Sequence, residues 1–563
     1  MITDKIIMGR IKLTIILVRL FLSVKIGVFP RFPRSILLRG GIMRNTWYIF
    51  ATILLLNTSL LFAGDQVKGT VFHDQNLNLQ LDAGEKGIPD VLVSNQKEVV
   101  KTDEEGRYSL PVSERSIIFV IKPAEYDLPV NSRNLPQFYY LHYPQGSPSL
   151  KYKGIAPTGF LPAEVNFPLF SSTSGDNYTV VVFGDPQPSS DKEIGYIRDD
   201  IVAELSGTSA VCGITLGDNV FDDLSLYDYY LEVISQIGIP LYHVPGNHDE
   251  NYDVPDDELA METFKRYFGP NYYAFQYGKT HFIVLDDVEY KGQKDNKYGG
   301  YQGMIGEKQL LWLKNYLTLV PEDELIVFTM HIPFFTAAGE APGIRVVDRE
   351  KLFSLLQNRQ HLLALAGHMH TMEHHFLKPA QGWMGAAPFQ QIICGAMCGA
   401  WWSGPQDSRG IPIADQQDGA PNGYHLFTFQ GNTYKENFKA AYYPPDYQMR
   451  ISQPAGKMRQ TDLPEHPVLV NVFNGNEKSV VECRIDGQTP QPMTPVFMID
   501  PYFQTIYQNN SQSYYDWFQP EATTHLWTVP LPADLSPGIH KIQVIAKDQY
   551  DENYHSVRIF EVE

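Results

Sequence analysis

The sequence predicts a layered α/β domain set between two all-β sandwich domains. Three observations carry the prediction. Residues 177–443 alternate apolar runs of strand length with helical stretches. On both flanks, short alternating runs are separated by Gly, Asn, Asp and Pro. The chain has 563 residues, room for three or four domains at roughly 150 residues each. The reading divides it into a head at 1–63, an N-terminal sandwich at 64–172, an α/β domain at 173–450 and a C-terminal sandwich at 464–563.

The head differs in kind from the rest. Residues 1–64 hold nine Lys/Arg and one acid, Asp4. Met43-Arg44-Asn45-Thr46-Trp47, the apolar stretch Tyr48–Phe62 and the small Ala63 have the layout of a secretory signal. Asn57, Thr58 and Ser59 make that stretch a poor membrane span. The expectation is a start at Met43 with upstream residues 1–42 translated by mistake, a cleaved signal, and export to the periplasm or beyond without a stable transmembrane anchor. An uncleaved anchor is the alternative. No cysteine precedes Cys212, which argues against lipid attachment at a processed N-terminal cysteine.

Composition excludes several classes. Hydrophobic residues are 43% and charged residues 19%, enough apolar material to offset chain entropy, so the chain is not disordered. Four cysteines exclude a disulfide-built scaffold. The net charge is -19, and the 36 basic and 63 acidic side chains beyond the head leave the body near -27. Such a body is not expected to bind nucleic-acid backbone by broad electrostatics.

The N-terminal block begins Lys68-Gly-Thr-Val-Phe-His-Asp and continues through Gly87-Ile-Pro-Asp-Val-Leu-Val. Asp74, Asn76, Asn78, Asp82 and Glu85 place oxygens at the calcium-loop offsets 1, 3, 5, 9 and 12. The glycine expected at offset 6 is Leu79, which disfavours the sharp turn. Structural calcium and a polar turn with Asx hydrogen bonds are both open readings. In the middle block, strands are expected at 178–183, 211–216, 241–244, 281–285, 324–330 and 362–366, and helices at 194–205, 309–319 and 351–358. The last block reads as strands, for example at 468–473, 478–486 and 541–548, after a Pro-rich linker at 443–463.

Polar residues of metal-ligand type follow the strands of the middle block. Asp185 and Gln187 follow the first, Asp218 and Asp222 the second, Asn247, His248 and Asp249 the third, His331 the next, and His368 and His370 the last. The carboxyl ends of strands in an α/β sheet share one crevice, so five such clusters can converge. Mixed carboxylate, amide and imidazole donors suit Mn, Fe or Zn, and the lack of cysteine argues against a closed zinc site.

Gly184-Asp185-Pro-Gln187, Gly217-Asp218-Asn-Val-Phe-Asp222, Gly246-Asn247-His248-Asp249, His331 and Gly367-His368-Met-His370 resemble the motifs of the calcineurin-like metallophosphoesterase superfamily. The resemblance implies a four-layer α/β core, a β-sandwich flanked by helices, that holds two metal ions. Asp185, Gln187, Asp218 and His370 would bind one, and Asp218, Asn247, His331 and His368 the other. A metal-bridging hydroxide would attack phosphorus, His248 would face the substrate, and Asp249 would orient His248. Most members have His where Gln187 stands, and a neutral amide favours Mn or Fe over Zn there. Asp222 reads either as a supporting acid or as a surface one. The N-terminal block resembles the transthyretin-like domains of bacterial surface proteins. The whole order of domains is similar to an exported bacterial phosphoesterase subfamily. The implied substrate is a small phosphate ester, with a diester slightly preferred over a monoester or nucleotide. A non-catalytic surface binding protein is the competing class.

Substrate-side candidates are Trp401 and Trp402, as stacking residues or as packing against the C-terminal sandwich, and Arg409 as a phosphate clamp ahead of Arg345 and Arg349. His374 and His375 read as loop residues or as supports of the ligand pair before them.

Overall fold

Alternation along one strand shows how the middle block is layered in this computed structural model, which describes residues 65–563 except 296. In strand Asn177–Phe183, Val180 and Val182 face one way and Val181 and Phe183 the other, as the pleat requires. Val180 and Val182 join Ile214, Phe427, Phe282 and Phe328 in one core. Val181 and Phe183 pack on Ile194, Ile197, Tyr227 and Leu231 in another. The start, signal and cleavage expectations for the head lie outside the described residues.

Two sheets face each other across the first core. One orders its strands Leu241–His243, Cys212–Thr215, Asn177–Phe183, Gly423–Gln430 and Thr433–Ala440. The first three run parallel, and the last two form an antiparallel hairpin. The other orders Tyr273–Tyr277, Thr280–Val284, Leu325–Met330, Leu362–Ala366, Phe389–Ile393 and Glu373–Leu377, with its four inner strands parallel. Phe282 of the second sheet meets Phe429 of the first edge-on, with ring centroids 5.3 Å apart. Helices Gly306–Leu317 and Arg349–Leu356 bury Trp312, Leu313, Tyr316, Leu352 and Phe353 in this core as well. Each such buried side chain contributes about 1.5–3 kcal/mol.

The helix expected at 194–205 is three pieces: Asp191–Ile197, a wider turn Arg198–Val202, and Ala203–Leu205. It begins early because Ser190 caps it, its side chain accepting from the Glu193 amide.

Residues 66–171 contribute two four-stranded sheets. The C-terminal region contributes a four-stranded and a five-stranded sheet, and two corrections apply there. The stretch expected to be a linker holds strand Met449–Gln453, which pairs antiparallel with Val468–Val472, because its prolines flank the strand instead of interrupting it. A helix, Pro501–Asn510, interrupts the expected all-strand pattern. Asp500 caps it and Pro501 occupies its first position, a start signal readable in the sequence. All four cysteines are buried and unbridged. No helix among the described residues is long and apolar enough to cross a membrane.

Candidate metal centre

The parallel strands end at one place. Asp185 lies two residues past strand Asn177–Phe183, Asp218 three past Cys212–Thr215, Asn247 four past Leu241–His243, His331 directly after Leu325–Met330, and His368 two past Leu362–Ala366. The turns that carry them are strained. Asp185, Gln187, Asp218, Asp222, His368 and His370 all have positive φ, an uncommon conformation for side chains other than glycine. Glycines make room. A Cβ on Gly217, at φ +93°, would lie 2.5 Å from His331 Nδ1, and one on Gly246 would lie 2.3 Å from Asp218 Oδ1.

Ligand atoms of Asp218, His331 and His368 lie within 4.8 Å of one another, the tightest part of the site. His331 Nε2 is 3.3 Å from Asp218 Oδ2 and 3.0 Å from Asn247 Oδ1. His331 Nδ1 donates to the Leu216 carbonyl at 2.8 Å, leaving Nε2 as the inward lone pair. His368 Nε2 donates to the Gly343 carbonyl at 2.9 Å, and its Nδ1 is 3.1 Å from His331 Nε2. His370 Nδ1 donates to the Gly399 carbonyl at 2.6 Å, freeing its Nε2. Asp185 accepts the His368 amide on both oxygens at 2.9 Å. Gln187 presents its amide nitrogen to Asp218 Oδ2 at 3.2 Å, and a half-turn of the amide puts its oxygen there.

The donor set fits a metal. Asp185 and Asp218 are buried, and among the described residues neither pairs with Lys or Arg. Burial, then Asp218, pushes Asp185 up to about 7, against the pull of His331. Burial opposes the charge on Asp218 too, yet His331 and His248 hold it below the usual carboxylate range. Burial disfavours a charged His331, but Asp218 and Asp185 push it up to about 10, and the same acids attract a cation to the same point. Burial brings His368 and His370 down to about 3, so both stay neutral, as imidazole ligands must.

His248 stands beside this cluster, and its partner is not the neighbour expected. Its Nδ1 is 2.5 Å from Asp222 Oδ1, its ring stacks on Phe221 at 4.5 Å, and its Nε2 is 4.0 Å from Asp218 Oδ2. Burial works against its protonation, but Asp218 and Asp222 raise it above the ordinary histidine range. Asp249 instead accepts from the Gly246 amide at 2.8 Å, the Asn219 amide at 3.1 Å and the Tyr227 hydroxyl at 2.7 Å. Its role is to close the turn that carries Asn247 and His248, and the expectation that it orients His248 is corrected.

Arg409 is not a free phosphate clamp. It pairs with Asp407 at 2.7 Å and Asp200 at 2.6 Å and lies over the Tyr442 ring. Arg345 is paired with Glu340, and Arg349 donates to the Gln381 and Val346 carbonyls. Trp402 is buried and donates to the carbonyl of Pro186, which lies between Asp185 and Gln187. Trp401 stacks on the His370 ring at 3.6 Å and meets Trp517 and Phe518 of the C-terminal region. His374 faces Asn474, and His375 bonds Glu373.

In the N-terminal loop, Asp74 accepts the Leu77 and Leu79 amides at 2.7 Å, Asn76 and Asn78 donate to Asp82, and Glu85 accepts the Gln75 and Asp82 amides. Leu79 does take the left-handed turn, at φ +67°, with its side chain in solvent.

Sequence reasoning missed Asp287. It is fully buried and accepts the amides of His331 at 3.1 Å and Ile332 at 3.3 Å, anchoring the turn that carries His331. Its place just past strand Thr280–Val284 was a usable signal.

Facing sheets with carboxylate, amide and imidazole donors at one end define an α/β protein built to hold metal ions. Residues 178–372 match the calcineurin-like phosphoesterase family, 75–152 its N-terminal domain and 392–554 its C-terminal domain. The matches follow one another over most of the chain, and the protein belongs to the calcineurin-like phosphoesterase superfamily. The chain is 28% identical over 150 residues to a probable glycerophosphodiester phosphodiesterase of Arcobacter nitrofigilis, covering 26% of this chain and 51% of that one. It thus spans about half the length of that relative. A purple acid phosphatase from yellow lupin seeds overlaps 62% of this chain and 67% of its own at 12% identity and a TM-score of 0.33, too loose to support an argument.

Proposed function

We propose that the protein is a dinuclear metal-dependent phosphoric ester hydrolase, with diesters slightly preferred over monoesters or nucleotides. The observation that carries this reading is the convergence of Asp218, His331 and His368 within 4.8 Å at the ends of three strands. Asp185, Gln187, Asp218 and His370 would hold one metal, and Asp218, Asn247, His331 and His368 the other. Bound metals supply Lewis acidity and lower the pKa of water. The protein supplies orientation and a proton. The Leu216, Gly343 and Gly399 carbonyls fix the imidazoles, and Asp287 fixes the His331 turn. With Nδ1 bonded to Asp222, His248 offers Nε2–H to a phosphoryl or leaving oxygen on the open side of Asp218. No covalent enzyme intermediate is needed. The diester preference draws support from the similarity to a probable glycerophosphodiester phosphodiesterase.

Further parts of the reading stand as proposals. The core is a four-layer α/β arrangement between two sandwich domains. Mn or Fe is preferred over Zn, on the strength of Gln187. The loop 74–85 is either a calcium loop, Leu79 having adopted the turn that glycine usually makes, or a polar turn closed by its own hydrogen bonds to Asp74, Asp82 and Glu85. The chain is exported, which N-terminal sequencing of the secreted form tests.

Hydrolysis of bis-p-nitrophenyl phosphate and p-nitrophenyl phosphate with Mn, Fe and Zn tests the main reading. The wild type should turn over the diester faster, and Asp218→Ala should lose at least a hundredfold. Equal rates for the two proteins would remove the enzymatic reading.

A further inference from the structure

An aromatic path leads from the metal centre toward a cavity lined jointly by the middle block and the C-terminal region. Trp401 lies flat on the His370 ring, with centroids 3.6 Å apart and planes at 14°. Trp517 stands nearly perpendicular to Trp401, at 4.5 Å and 82°. Tyr515 stacks parallel on Trp517 at 5.3 Å and 12°. Trp517 is 54% exposed and Tyr515 39%, although large rings gain most by burial. Tyr515 also borders a cavity of about 640 Å³ whose other walls include Lys192, Glu193, Gln406, Asn510 and Gln512.

The segment bearing these rings is held in place. The Gly404 amide donates to the Ser513 carbonyl at 2.9 Å, and the Glu521 amide to the Gln417 carbonyl at 2.8 Å. Phe503, Tyr514 and Phe518 form a small core with Ala400, against which Trp401 packs. The exposed rings are therefore fixed in position, and ordering them costs a ligand little.

We infer that Trp517 and Tyr515 form the subsite for the alcohol half of the substrate, and that this alcohol is a sugar ring. The inference rests on the phosphoesterase reading above and specifies its substrate. With phosphorus at the metals, the ester oxygen leads away past Trp401 onto Trp517. The apolar C–H face of a pyranose is flat and close in size to an indole. Its hydroxyls match a cavity lined by carboxamides, a carboxylate and an ammonium, groups that donate and accept without demanding a charged ligand. The body's large negative charge suits a neutral alcohol better than a second anionic group.

Three p-nitrophenyl phosphodiesters with one chromophore separate the possibilities: the methyl ester, the ester of glucose O6 and the ester of thymidine O5′. The wild type with Mn should show kcat/KM at least tenfold higher for the glucose ester than for the methyl ester. Trp517→Ala should bring that ratio to about one, and Trp517→Tyr should restore most of it. Equal wild-type values for the glucose and methyl esters, a preference for the thymidine ester, or a ratio unmoved by Trp517→Ala would overturn the sugar subsite while leaving the hydrolase intact. Failure to hydrolyse all three would overturn the hydrolase reading and this one with it.

Discussion

Asp222→Ala isolates the group that positions His248. The substitution deletes the 2.5 Å contact to Nδ1 and nothing else of comparable strength. A hydrogen bond to a charged group is worth about 1.5–3 kcal/mol, and Asp222 is 45% exposed, so water screens part of it. About 1.5 kcal/mol lost from the transition state is roughly a tenfold fall in kcat. Asp222→Asn keeps an acceptor but no charge, and its rate should fall between the two. The melting temperature should hardly move in Asp222→Asn and fall slightly in Asp222→Ala, because alanine tolerates the left-handed φ of 59° less well than Asp or Asn. Asp249→Asn supplies the contrast. It disturbs a buried carboxylate that four donors share, so stability should drop by about 2–3 kcal/mol, visible as a lower denaturant midpoint. The assay is steady-state hydrolysis of bis-p-nitrophenyl phosphate beside urea melts. Unchanged kcat in Asp222→Ala, with a large kcat loss and normal stability in Asp249→Asn, would refute the assignment and restore the sequence neighbour.

Gly217→Ala puts a methyl into the His331 ring at a left-handed position, and it should cost about 2–4 kcal/mol of stability and most of the activity, read by thermal melts and turnover. Dialysis against a chelator should lower the melting temperature and Mn should restore it, since a ligand at a hundred times its Kd adds about 2.7 kcal/mol. Lys122 is buried with its ammonium over the Tyr277 ring, and burial, opposed by Asp127, brings its pKa from 10.5 to about 8. Between those values the unfolded chain binds the proton and the folded chain does not, so this residue's contribution to stability should rise with pH from about 8 to 10.5, by about 3 kcal/mol in all. Lys122→Met should flatten that rise in urea melts taken across this range.

The candidate ligand residues were legible because chemistry restricts them. A donor after each of several parallel strands is a pattern that packing alone has no reason to produce, and Asp185, Asp218, Asn247, His331 and His368 lie at those strand ends. What escaped depends on contacts between distant segments. Asp249 looked like the partner of His248 because it is the next residue, but adjacent side chains in the tight turn Asn247–Asp249 point apart, and the carboxylate that reaches the ring comes from another loop. Arg409 looked like a free cation, and only folding brings Asp200 against it. Strand Met449–Gln453 lies between prolines and is stabilised by a partner strand that local sequence does not contain. The helix Pro501–Asn510, by contrast, announces itself through Asp500 and Pro501 and could have been read.

In the proposed arrangement these loops hold two metal ions with Asp218 shared between them. Metal content per chain, measured by inductively coupled plasma mass spectrometry on protein saturated with Mn and then gel-filtered, tests it most directly. About two ions are expected in the wild type, and at most one in both Asp218→Ala and His331→Ala. A wild type that hydrolyses esters while carrying no metal, or an Asp218→Ala protein that retains two ions, would contradict it.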